Sequence, residues 1–136
     1  MANIYNYNAT VVTPITNGVA INVPQTPAGV GLAEVRVTVP HITPNYVELK
    51  ATIGVQATLV TGNVLFRIFR DGVEIYYALK SIGLTTEPYA LVTLQAIDLN
   101  APAGSHGYTL SIVKFTAGLS ATVIGPLNLS ATVITL

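Results

Sequence analysis

Chemistry needs polar groups that converge, and this chain offers few. It has two histidines, no cysteine and six carboxylates among 136 residues. His41 and His106 stand far apart among loop-type residues, and neither takes part in a His-x-x-x-His or Glu-x-x-His spacing. A zinc site normally takes roughly three or four protein ligands, so both read as solvated loop residues. Ser105-His106-Gly107 sets a base beside a hydroxyl but lacks the Gly-x-Ser-x-Gly elbow of a nucleophile. Glu34 and Glu48 each precede a cation by two residues, Arg36 and Lys50. On a strand that spacing puts each pair on one face, where a solvated charge pair explains them better than a glycosidase acid and base. Asp71 belongs to a turn. Gly29 and Gly31 lack the strand–turn–helix setting of a phosphate loop. The seven tyrosines are spread from Tyr5 to Tyr108, which suits a sheet or interface better than a carbohydrate-stacking platform. Asn8-Ala9-Thr10 and Asn128-Leu129-Ser130 match the glycosylation triplet, a pattern short enough to arise by chance. These residues predict no enzyme, no metal and no cofactor.

The charge total is the unusual feature. Six basic and six acidic residues make 9% of the chain, against about 25% in an ordinary soluble protein. A surface this poor in charge has little repulsion to hold copies apart. Arg36, Lys50, Arg67, Arg70, Lys80 and Lys114 are scattered, so there is no phosphate-neutralising stripe and nucleic acid is excluded as a partner. The opening MANIYNYNAT has neither a basic nor an apolar segment of the kind a secretory signal needs. Gly, Pro, Asn or a charge interrupts every apolar run before the ~20 residues of a spanning helix. The expectation is no membrane, and burial against protein instead.

The chain is organised around Asn63–Leu79, two alternating apolar arms joined by Asp71-Gly72, a pair suited to the positive φ angles of a tight hairpin turn. Both faces of this hairpin carry large apolar groups, so it is expected deep in a sheet covered on both sides. Ile4–Val12 alternates as a strand, stopped by Pro14 and the turn pair Asn17-Gly18. Two readings are open for it: an ordinary first strand folded back by that turn, or a mobile arm that pairs with a neighbouring copy by strand addition. Further strands are expected at Gly18–Val23, Leu32–Val39, Tyr46–Ile53, Val55–Val60, Tyr89–Leu99, Tyr108–Ala117, Leu119–Ile124 and Leu127–Leu136. Gly54 marks a bulge or bend, and Gly125-Pro126 the last turn. Pro24–Gly31, Ser81–Pro88 and Asn100–Gly107 read as loops. About nine to ten short strands and no helix predict an all-β antiparallel jelly-roll sandwich, residues 18–136, preceded by an extended N-terminal arm, residues 1–17.

The run Val64–Tyr77, the Asn100–Gly107 loop and the strand GYTLSIVKF together resemble the compact jelly rolls of the tumour-necrosis-factor and complement globular-head type. Within that group the chain is most similar to small Bacillus spore-surface proteins, the exosporium head domains and endospore appendage fibre subunits. The resemblance implies a homotrimer whose sandwiches pack around a common axis, with Leu65, Phe69, Tyr76, Phe115 and the C-terminal strand as candidate contacts. It also implies an extracellular location on a spore surface or appendage, with other spore-surface proteins as further partners. The chain departs from the family in having no Gly-X-Y repeats and no cysteines, so a connector other than a disulfide is required.

The expected function is therefore a structural subunit: homotrimers linked into a filament by an assembly arm of Ile4, Tyr5, Tyr7, Ala9, Val11 and Val12. Burying four of these side chains yields roughly 6–12 kcal/mol. Ordering the arm costs on the order of 10 kcal/mol, so a single arm is marginal and three acting together supply avidity. The alternative is a jelly-roll module that binds carbohydrate or a receptor at a spore or phage fibre tip, using the 24–31 and 100–107 loops.

Overall fold

Asp71 and Gly72, with φ of 48° and 86°, form the innermost bend of the chain. Gly72 takes the left-handed conformation at no steric cost, and Asp71 is one of the few side chains that tolerates it. They join β5 (Gly62–Arg70) to β6 (Val73–Ile82). Longer-range pairs nest outward from this hairpin. β4 (Asn45–Ala57) pairs with β7 (Tyr89–Leu99), β3 (Val30–Val39) with β8 (Gly104–Lys114), and β1 (Asn3–Thr13) with β9 (Ala121–Thr135). Successive nested pairs alternate between two sheets. Sheet I has the order β1-β9-β4-β7, with the two-residue β2 (Ile21–Asn22) also on β9. Sheet II has the order β3-β8-β5-β6. Among the described residues all pairings are antiparallel, and the result is a jelly-roll-like sandwich of nine strands. The computed structural model describes residues 2–58, 60–83 and 88–136.

The two-residue period of the sequence becomes the core. Val47, Leu49, Ile53 and Val55 of β4 meet Leu127, Leu129 and Val133 of β9 on the inner face of sheet I. Val64, Phe66 and Ile68 of β5 and Leu110 and Ile112 of β8 line sheet II. Burial of this apolar surface, at roughly 25 cal/mol per Å², is the main favourable term in the fold.

The structure corrects several expectations. The hairpin does not sit deep in its sheet: β5 is interior, but β6 is an edge strand. The outer apolar groups of β5 are partly covered by the 24–29 loop. An added Cβ at Gly29 would stand 3.2 Å from Val113, and Arg67 donates to the Pro27 carbonyl at 2.8 Å. Gly125-Pro126 makes no turn. The peptide bond is cis, Gly125 has φ 98°, and the two strands expected on either side are one strand of 15 residues. Gly54 lies against this kink, where the β4–β9 register slips between Ile53 and Val55. An added Cβ at Gly54 would fall almost on the Gly125 carbonyl oxygen, 2.0 Å away, so the backbones touch only because Gly54 has no side chain. The strand expected over Val55–Val60 ends within β4 at Ala57. The expected Ser81–Pro88 loop is partly taken up by β6, and its residues 84–87, like Leu59, lie outside the described residues.

Residues 1–17 are not a separate arm. β1 lies along β9 of its own chain from Asn3↔Thr135 to Thr13↔Leu127 and is the edge strand of sheet I. Of the two readings open from sequence, the ordinary first strand is the one observed. Its inward polar side chains reach across to the edge of sheet II. Asn8 Nδ2 donates to the Arg36 carbonyl at 3.0 Å, and Thr10 Oγ1 to the Glu34 carbonyl at 2.6 Å. The polar half of the alternation thus seals one side of the sandwich.

Candidate assembly surface

The outer face of sheet I is built from the residues that alternate with the core. A transverse row at one end crosses all four long strands: Ile4, Ile134, Tyr46 and Leu99. Every member is apolar or aromatic, and Ile4 and Leu99 are 72% and 58% exposed. The next row adds exposed Tyr7 and Ile97 on either side of Thr132 and Glu48. Ile4 and Tyr7 share a face despite being three residues apart because Tyr5 is the extra residue of a bulge between Ile4 and Asn6. Beyond these rows the face turns polar, with Lys50 and Ser130, then Thr52, Asn128 and Thr93. Lys50 pairs with Glu48 at 3.3 Å, and Gln95 donates to the same carboxylate at 3.1 Å. The far end returns to apolar groups around a groove of about 310 Å³, whose lining includes Pro14, Tyr89, Leu91 and Pro126.

The expected assembly residues divide. Ile4, Tyr5, Tyr7, Ala9, Val11 and Val12 lie on one edge strand, and all but Ala9 are among the exposed large apolar residues. Leu65, Phe69, Tyr76 and Phe115 do not form one surface, contrary to expectation. Leu65 is buried on the outer side of sheet II. Phe69 is half-buried on that side, with the Arg67 guanidinium 5.9 Å from its ring centre. Tyr76 sits opposite Ile68 and packs against the core. Phe115 is exposed just beyond the end of β8.

A polar cluster that the sequence reading missed closes one end of the sandwich. Arg70 donates from Nη1 to both oxygens of Asp98, at 2.8 and 2.6 Å, and the Tyr108 hydroxyl donates to the same carboxylate at 2.6 Å. These residues come from β5, β7 and β8, so the cluster ties sheet I to sheet II. Its signal was present in the alternation: Arg70 follows Val64, Phe66 and Ile68 in phase, and Asp98 follows Ala90, Val92, Leu94 and Ala96. A charge in the inward phase of a strand must find a partner. The hydrogen bond to Asp98 raises the Arg70 pKa, and burial, then the Asp98 contact, pushes the Tyr108 hydroxyl well above its ordinary value.

His106 is buried rather than solvated, because β8 begins at Gly104 and takes in part of the expected loop. Its Nδ1 meets Asp71 Oδ2 and its Nε2 meets the Pro102 carbonyl, both at 2.5 Å. Asp71 also accepts the Gly107 N–H at 2.8 Å. The His106 contact first, and the Gly107 amide second, hold the Asp71 carboxyl below its usual range. Both groups are thus occupied in fastening the central turn to β8. Glu34–Arg36 at 3.5 Å is the exposed charge pair expected from spacing, and Arg67–Glu74 at 3.4 Å is a further pair across β5 and β6. Among the described residues no group of three His, Cys, Asp or Glu is placed to hold a metal ion, and no helix is long and apolar enough to cross a membrane.

No protein-family model matches the chain, and no curated protein does. Solved structures do. A dimeric latent PorU from Porphyromonas gingivalis aligns over 96% of this chain with a TM-score of 0.50 and 11% identity. An insecticidal delta-endotoxin, Cry8Ea1 from Bacillus thuringiensis, aligns over 74% with a TM-score of 0.38 and 8% identity. The chain spans 13% of the PorU chain and 18% of the endotoxin. At such identity the likeness to PorU is one of fold alone.

Proposed function

We propose that this chain is a structural subunit that assembles with copies of itself, as in the extracellular fibres of spore surfaces that its sequence resembles. One observation carries this reading. A row of apolar residues runs across the full width of sheet I, Ile4–Ile134–Tyr46–Leu99, on a protein in which only 9% of residues carry charge. Exposed apolar patches of this kind mark protein contacts. In the tumour-necrosis-factor type of jelly roll that the sequence resembles, sandwiches pack as homotrimers, and a further head-to-tail contact that does not close on itself generates a filament. No catalytic role is proposed: the most polar clusters, around Asp98 and Asp71, are spent on fastening strands.

Linkage by a free N-terminal arm is not carried forward, because β1 is bound along its length to β9 of the same chain. Association through faces and edges takes its place. Sedimentation velocity and negative-stain microscopy at neutral pH test the proposal. Trimers and filaments are expected from the native chain, and Ile4→Glu with Tyr46→Lys should shift it toward smaller species. A monomer that persists to millimolar concentration would sink it.

A further inference from the structure

The four sheet edges are not equivalent. β1 and β3 are fastened to one another by the Asn8 and Thr10 hydrogen bonds. β6 carries Glu74 and Lys80 and is kinked by a register slip opposite Ile68 and Phe69. Charges and bulges of this kind protect an edge from pairing with another chain. β7 has neither device on its outward face. It runs eleven residues without a slip against β4, contains no proline, and its one charge, Asp98, faces inward to Arg70 and Tyr108.

The direction of its outward backbone groups follows from parity. Ala57 donates to the Pro88 carbonyl and Asn100 to the Asn45 carbonyl, at 2.9 and 2.8 Å. With an unbroken antiparallel register between them, the even-numbered residues of β7 bond to β4. The N–H and C=O of Tyr89, Leu91, Thr93, Gln95, Ile97 and Leu99 therefore point away from sheet I. The same six side chains form the outer face of the strand. Their order is symmetric about Leu94: apolar, apolar, polar, polar, apolar, apolar.

We propose that β7 pairs antiparallel with β7 of a second copy about a two-fold axis at Leu94, joining two copies of sheet I into one continuous sheet. The inference rests on the self-assembly reading and adds the edge at which it occurs. The two-fold sets Leu91 opposite Ile97 of the second copy, Tyr89 opposite Leu99, and Thr93 opposite Gln95. Each is a directly opposed, hydrogen-bonded pair in which two backbone bonds are exchanged. Leu91 and Ile97, 62% and 59% exposed in the single chain, cover each other, and no like charges meet. The second copy is the occupant because a pattern symmetric along one strand is complementary to itself, the condition for an isologous contact. Leu99 belongs to both the edge and the Ile4–Ile134–Tyr46–Leu99 row, so each copy's row is extended across the joint by Tyr89 of the other copy.

Thr93→Pro isolates this contact. Its N–H points outward, so proline removes no bond to β4 and leaves the sandwich intact. Leu91→Lys with Ile97→Lys is the companion variant, since both side chains are exposed. The measurement is sedimentation velocity of the full chain over a concentration series, with amide exchange followed by NMR. The expected result is association at least tenfold weaker in both variants, with unchanged thermal unfolding. In the native chain, exchange at Leu91, Thr93, Gln95 and Ile97 should slow at least tenfold with concentration. If both variants associate like the native chain and those amides exchange freely at all concentrations, edge pairing is wrong while self-assembly stands. A native chain that never associates overturns both.

Discussion

Asp98 is the residue on which the sandwich end depends. It accepts two bonds from Arg70 and one from Tyr108, with only 10% of its side chain exposed. Asp98→Ala would leave a guanidinium and a phenol without their acceptor, a loss of about 3 kcal/mol or more of the kind seen when one partner of a buried pair is removed. Urea unfolding should show it as a lower midpoint at unchanged slope. Two pH limits follow from the same end of the molecule. The Tyr108 pKa is raised above the free value of 10.0, so its contribution is complete below about pH 10 and falls as pH rises beyond it. Thermal unfolding between about pH 9 and 11 should lose this component in Tyr108→Phe. The Asp71 pKa is lowered from 3.8, so its contribution is present above that value and disappears as pH falls below it. Asp71→Asn, which still tolerates the left-handed turn, should reduce the fall in thermal midpoint on acidification below about pH 4.

At the scale of elements, β9 is the strand that the others depend on. It pairs with β1, β2 and β4, and it bends at Gly125-Pro126 against Gly54. Gly54→Ala must push two backbones apart, and a loss of roughly 1–3 kcal/mol is expected, as for other overpacked sites. The thermal midpoint should drop with the fold retained. β1 belongs to the sheet, so deletion of residues 1–13 would uncover the β9 edge over Leu127–Thr135. The truncated chain should unfold at lower temperature and aggregate through that edge. A truncation as stable as the native chain would restore the reading of a detached arm.

At the scale of the whole molecule, low charge and exposed apolar rows make association the expected behaviour. The large apolar side chains left outside the core include Ile4, Tyr7, Ile97 and Leu99 at one end of sheet I, and Tyr89 and Leu91 at the other. Screening of surface charge by salt should change the proposed assembly little, because the contacts proposed for it are apolar and the net charge is zero. Sedimentation in low and high salt gives the check: dissociation by about 1 M salt would indicate that ion pairs, not the apolar rows, hold the copies together.

The strand class, the turn at Asp71-Gly72 and the inward sets of the central strands β4 and β5 were legible along the chain, because those depend on local φ preference and a period of two; in β1 and β6 the apolar phase, Tyr7 and Val73, Tyr77 and Leu79, faces outward instead. The sequence also held the charge pairs two residues apart and the shortage of catalytic groups. Which strand is an edge emerges from the folded molecule alone, since that depends on pairings far apart in the chain. The fusion of two expected strands across Gly125-Pro126 needed Gly54 opposite, a contact invisible along the sequence. The same long-range pairing drew His106 out of a loop into a strand, turned a supposed arm into β1, and brought Arg70, Asp98 and Tyr108 to one point.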